Sequence, residues 1–167
     1  MDNNLYIDIE TTGLDPTKAR IVQIGLIYKN KSKSILINPM IPIPEDASRI
    51  HHIYDKDVEH SPNFEKVSSF LLSLIEECDC VVGYNNRKYD WIILYIEFLR
   101  IGITLPDKPQ LDVLELVQSF ENTRKLSDVY LRYFSERLDG NHDALNDITA
   151  TKKILEYLQS KLDIKNP

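Results

Sequence analysis

The first strand-like stretch of the chain alternates at every step. In Leu5-Tyr6-Ile7-Asp8-Ile9-Glu10, side chains exchange sides with the period of a strand, so Leu5, Ile7 and Ile9 fall on one face and Tyr6, Asp8 and Glu10 on the other. RIVQIGLIYK and SILINP are again rich in Ile, Leu and Tyr between turn residues, and connections this short predict an antiparallel meander of three strands. Prolines 39, 42 and 44 cannot pair inside a sheet, so Pro39–Pro44 reads as an extended connector. From Asn63 the period changes, and Phe64, Val67, Phe70, Leu71, Leu74 and Ile75 recur at helical spacing. CVVGY is a short buried strand, YDWIILYIEFLRIG a helix stopped by Gly102, and QLDVLELVQSF a strand running into a helix. KLSDVYLRYFSERL and DALNDITATKKILEYLQSKL supply the remaining helices. Strands first, then strand and helix in alternation, predict an α/β chain. Its sheet is mixed and five-stranded, three antiparallel strands followed by parallel ones, with helices at its flanks.

Composition narrows the class. With 167 residues, 43% hydrophobic and 28% charged, the chain has the balance of a globular protein and the length of one domain, expected over residues 1–162 with a frayed tail at 163–167. Met1-Asp2-Asn3-Asn4 is polar and acidic, unlike a secretory leader, and the apolar run WIILYIEFL is cut by Glu97 and too short to span a bilayer. A cytoplasmic protein without a membrane partner is the expectation. Cys78 and Cys80, two residues apart, would share one face of a strand; a disulfide between them would be strained and no second pair completes a zinc site, so both are expected as buried free thiols.

The acids carry the chemical question. Asp8 and Glu10 on one face repel each other unless something positive lies between them. They are either the solvated side of an edge strand or half of a metal site. Asp90, in GYNNRKYDWIIL, and Asp147, in NHDALNDITA, each stand near a helix start, where capping and the helix dipole alone favour an acid. Asp143 lies four residues before Asp147 and would share its helix face, so spacing alone leaves either acid as the candidate ligand. A net charge of −6 argues against tight, sequence-independent gripping of a long duplex. If four carboxylates hold two divalent cations that objection weakens, and a short contact at a strand end is feasible.

DIETTG, YNxxxYD and HxAxxD, in this order, resemble the three motifs of the DEDDh family of 3′-to-5′ exonucleases, which includes proofreading subunits of bacterial DNA polymerases and RNA-trimming nucleases. INPxxPIPEDASRIHHI resembles that family's segment between the third strand and the first helices, so the resemblance covers almost the whole chain. It implies an RNase H-like fold and two-metal catalysis. Asp8, Glu10, Asp90 and Asp147 would be ligands of two divalent ions, Mg²⁺ or Mn²⁺, and His142 the general base; the motif selects Asp147 over Asp143, which is left to cap the helix. The chemistry agrees with the residue types. Hard cations favour oxygen donors, a clamp of two ions roughly 4 Å apart suits in-line phosphodiester displacement, and imidazole titrates near neutrality. The second motif departs from the commonest form, with Tyr84-Asn85 where many members have His-Asn, and Tyr89 where they have Phe.

By the same resemblance, Thr11, Thr12 and Gly13 form a turn with backbone N–H groups near the terminal nucleotide. Leu14 supports the last base, unless it packs in the core. His51 matches a frequent family histidine, with His52 in place of glycine, and Asn85 helps to hold the scissile strand. Arg49, Arg87 and Lys88 are candidate phosphate contacts. The implied activity is release of nucleoside 5′-monophosphates from nucleic-acid 3′ ends, DNA favoured, single-stranded or frayed. Trimming of RNA is the alternative, and a non-catalytic end-binding module the alternative of another class. Proofreading members are joined to polymerases or clamps, so a DNA polymerase or a replication and repair assembly is an implied partner.

Overall fold

A computed structural model describes residues 3–140 and 142–162; the expected tail at 163–167 lies outside the described residues. The meander is β1 (Asn4–Thr11), β2 (Ile21–Tyr28) and β3 (Lys31–Leu36), joined antiparallel. Two short helices, α1 (Glu45–His51) and α2 (Asp55–Val58), follow the proline-rich connector. Then come α3 (Phe64–Glu77), β4 (Cys80–Gly83) and α4 (Asp90–Arg100). The chain continues through β5 (Gln110–Asp112), α5 (Val113–Gln118), α6 (Leu126–Phe134) and α7 (Ala144–Leu162). The sheet order is β3-β2-β1-β4-β5, and the pairs β1–β4 and β4–β5 are parallel. The expected mixed sheet is therefore present, with helices on both faces. β1 lies at its centre, so the edge-strand reading of Asp8 and Glu10 is excluded.

Alternation along β1 builds two cores. Leu5, Ile7 and Ile9 pack with Leu71 and Ile75 of α3 and Leu94 and Phe98 of α4, and Phe64 meets Phe98 edge-on at 5.0 Å between ring centres. Tyr6 faces the other way, into a cluster with Val117 of α5, Val129 of α6 and Ile148 and Leu155 of α7. Complete burial of one such aliphatic side chain stabilises by about 1.5–3 kcal/mol, which is why the strand's register cannot slip by one residue. α3 occupies the expected span, capped by the Asn63 side chain accepting from Lys66 N–H at 3.2 Å. Phe70 departs from its apolar face: it is exposed, with the Lys33 ammonium 4.6 Å over its ring.

The cysteine geometry needs correction. Cys78 is not on a strand but ends α3, its N–H donating to Leu74 C=O, and it joins the α3–α4 cluster. Cys80 begins β4 and joins the cluster on the opposite face. Both are buried free thiols, as expected. Among the described residues no helix is long and apolar enough to cross a membrane.

Candidate active site

β1 and β4 run side by side only from Asn4–Cys80 to Tyr6–Val82, because β4 ends at Gly83. Beyond that point the β1 edge opens, and the carboxylate of Asp90, first residue of α4, accepts from the Ile9 N–H at 3.2 Å. A crevice at the carboxyl ends of parallel strands is the usual place for a ligand in an α/β sheet. Here it is a cavity of about 550 Å³ whose wall includes Asp8, Glu10, Asp90, His142 and Asp147.

α7 reaches this crevice because of two residues on β2. Gly25 lies opposite Asp8 in the ladder, and a Cβ there would stand 2.2 Å from the Ala144 carbonyl carbon. Only glycine lets the helix start come down on the strand. Gln23, opposite Glu10, ties the helix in place: its Nε2 donates to Asp143 Oδ2 at 2.7 Å, and its Oε1 accepts from Ala144 N–H at 3.0 Å. Asp143 Oδ1 accepts from Leu145 and Asn146 N–H at 3.1 and 3.0 Å, so it caps α7 as expected. Asp147, one turn on, lies over the acidic face of β1. Glu10, His142 and Asp147 each present a ligand atom within 4.8 Å of the others. His142 has a left-handed backbone, φ 67°, and its N–H donates to Asp147 Oδ2 at 3.1 Å.

The electrostatics of this group are unbalanced. Burial first, then Asp90, Asp147 and Glu10, hold Asp8 well above the ordinary carboxylate range. Burial and then the charges of Asp147 and Asp90 push Glu10 up to about 8; burial chiefly raises Asp90 to about 7 and Asp147 to about 6. No lysine or arginine is among the principal causes at any of the four. Burial lowers the His142 imidazole below its ordinary range, with a smaller contribution from His52. Asp147 Oδ1 is buried and accepts from no described group. An oxygen-rich, thiolate-free donor set that repels itself, with an orphaned carboxylate oxygen, fits a hard divalent cation.

The remaining sequence candidates divide between two hollows. Thr11, Leu14 and Asn85 line the main cavity. Thr11, Thr12, Gly13, Leu14 and His51 line a second one of about 350 Å³ on the other side of Glu10. Leu14 is shared by both and is 77% exposed, which excludes the core alternative. Thr11 is the last residue of β1 rather than part of a turn, and its hydroxyl donates to Gly13 C=O at 2.7 Å. Thr12 is buried: its N–H donates to Arg20 C=O at 2.9 Å, and its hydroxyl accepts from Arg20 N–H at 3.0 Å. His51 is buried, its Nδ1 accepting from Ile53 N–H at 3.1 Å. Arg49 pairs with Glu45 on the surface and Arg87 with Glu115 at 2.8 Å, whereas Lys88 lines the main cavity.

Three contributors escaped the sequence reading. Asp112, buried at the end of β5, accepts from Asn85 N–H at 2.7 Å and Leu114 N–H at 3.0 Å, so it sets the left-handed turn at Asn85, φ 59°. Gln23 and Arg124 are the others, the latter lining the cavity from the loop before α6. The strand-end position of Asp112 was a usable signal; nothing local marks Gln23 or Arg124.

The mixed five-stranded sheet with helices on both faces is an RNase H-like architecture. Residues 5–155 match the family model described as exonuclease (RNase T), and the chain belongs to that family. It is 29% identical over 168 residues to the PolC-type DNA polymerase III of Caldanaerobacter subterraneus subsp. tengcongensis, covering 95% of this chain and 12% of that protein. It is 30% identical over 124 residues to the epsilon subunit of DNA polymerase III from Rickettsia felis, covering 70% of this chain and 51% of that one. The chain thus spans about half or less of the length of these relatives. Among solved structures, the zinc-bound complex of E. coli exonuclease I with single-stranded DNA superposes with a TM-score of 0.84 at 19% identity, over 96% of this chain and 41% of that one. At that identity the likeness speaks for the fold.

Proposed function

We propose that the chain is a divalent-metal-dependent 3′-to-5′ exonuclease that releases nucleoside 5′-monophosphates, with single-stranded or frayed DNA ends as its preferred substrate. One observation carries the reading: four carboxylates and a histidine from three distant segments converge on one cavity, where burial and mutual repulsion raise the carboxyl groups. Asp8, Glu10, Asp90 and Asp147 would hold two ions, Mg²⁺ or Mn²⁺. When bound, these supply charge neutralisation for an anionic phosphodiester and acidify the attacking water. His142, beside Glu10 and Asp147 and lowered by burial, would take the attacking water's proton on a ring nitrogen. Leu14, exposed between the two hollows, supports the terminal base, while Thr11 and Asn85 bound the path of the scissile strand and Gly13 and His51 the far side. The kinship with DNA polymerase III proteins favours DNA and a partnership with a polymerase or a replication and repair assembly.

A 5′-labelled single-stranded DNA oligonucleotide incubated with Mn²⁺ or Mg²⁺ should give a descending ladder, abolished by a chelator. Absence of a ladder on DNA and on a matched RNA would sink the proposal; a ladder on RNA alone would transfer it to RNA trimming. A strand bound but never shortened would identify an end-binding module.

A further inference from the structure

The main cavity has a second chemical character that the acids do not explain. Its wall also contains Lys88, from the loop before α4, and Arg124, from the loop before α6. Both are exposed. Arg20, Arg49, Arg87, Arg100 and Arg132 are each held by a carboxylate, but among the described residues neither Lys88 nor Arg124 has an acidic partner. Their placement is built. Tyr84, itself on the cavity wall, donates its hydroxyl to the Arg124 carbonyl at 2.9 Å, tying one loop to the other. The Tyr84-Asn85 turn is in turn pinned by Asp112. Tyr89, 41% exposed, lies beside Lys88 on the same wall.

We infer that Lys88 and Arg124 form a phosphate-binding rim for the nucleic-acid strand behind its terminal nucleotide, with Tyr89 as a stacking surface for a base. This deepens, and rests on, the exonuclease reading of the same cavity. The physical need is plain. A polyanion approaching a chain of net charge −6 through an acid-lined opening is repelled, and the site's ions can serve only the scissile phosphate. Two cations with no acidic partner among the described residues give the next phosphates somewhere to rest. Aromatic faces accept any base, so the rim would read strand chemistry rather than sequence.

Two substrates separate the rim from the reacting centre: a 12-nucleotide single-stranded DNA and the p-nitrophenyl ester of thymidine 5′-monophosphate, which has no upstream phosphate. Lys88→Ala combined with Arg124→Ala should raise KM for the oligonucleotide about tenfold and flatten its dependence on log salt by about 1.4, leaving ester hydrolysis unchanged. Lys88→Arg with Arg124→Lys should restore most of the loss. Binding is read separately by anisotropy of the labelled oligonucleotide in an Asp8→Asn background, which holds the strand without cutting it. There the double alanine variant should again weaken affinity about tenfold. Unchanged KM, affinity and salt slope would overturn the rim, as would equal losses on ester and oligonucleotide, or no oligonucleotide binding with both cations present. A wild-type protein that hydrolyses neither substrate would defeat the exonuclease reading instead, and the anisotropy arm would still judge the rim.

Discussion

Helix α4 carries Asp90 at its first position and Glu97 two turns later on the same face, and the two carboxylates meet opposite surroundings. Glu97 is 1% exposed and saturated by cations, with Arg20 Nε at 2.6 Å and Arg100 Nη1 at 2.9 Å. Arg100 also donates to the carbonyls of Thr17 and Ala19, and the Arg20 backbone is paired to Thr12. The cluster therefore braces the loop that presents Leu14. Asp90 meets a backbone N–H and other acids. A buried charge that the chain needs for its own architecture is balanced inside the chain; one left unbalanced is held for something that arrives from outside. Both arrangements cost desolvation, but only the second is relieved by a ligand.

The largest effect should come from removing a site acid. Asp8→Asn is expected to lower the exonuclease rate on the order of 10³-fold or more, while raising the melting temperature of the metal-free protein, because a self-repelling group loses one member. Initial rates and chelator-treated melts test both halves, and a fall in that melting temperature would break the comparison. Glu97→Gln should do the reverse. It strands two guanidinium groups and costs about 2–4 kcal/mol, or roughly 5–10 °C in melting temperature, with kcat retained at a permissive temperature.

The pH response sharpens the contrast. Without metal, Glu10 holds its proton in the folded state up to about pH 8 but loses it near its ordinary 4.5 when unfolded. The folded state binds more protons across that window, so stability is full below about pH 4.5 and declines as pH rises to 8. Asp90 and Asp147, raised to about 7 and about 6, add to the decline in the same direction. Melts with chelator should drop by several degrees between pH 5 and 8, and excess Mg²⁺ should stabilise more at pH 8 than at pH 5. A flat profile would argue that the acids do not interact. The smallest effect belongs to Arg49→Ala, which removes an exposed pair with Glu45 and should change unfolding free energy by about 0.5 kcal/mol or less.

Local pattern reached far in this chain. The span of α3, the meander and the placing of Asp90 and Asp147 at helix starts all follow from periodicity and capping chemistry, which act over a few residues. The misreadings fell where two neighbours in sequence part company in space. Cys78 and Cys80 look like one strand face, but a helix ends between them. Arg87 looks as free as Lys88, but Glu115, twenty-eight positions away, takes it.

By itself, then, the order of residues determined which side chains β1 turns to each face, which acids begin helices, and a motif set whose spacing matches an exonuclease family. Those are properties of short segments, set by dihedral preference and side-chain period. Only the tertiary structure decided that Gly25 would let α7 touch β2, that Glu97 would be neutralised by Arg20 and Arg100, and that Lys88 and Arg124 would share one cavity wall with no acidic partner among the described residues. Charge balance and close approach depend on partners far apart in the chain, and those distances exist only once the two faces of the sheet have been covered.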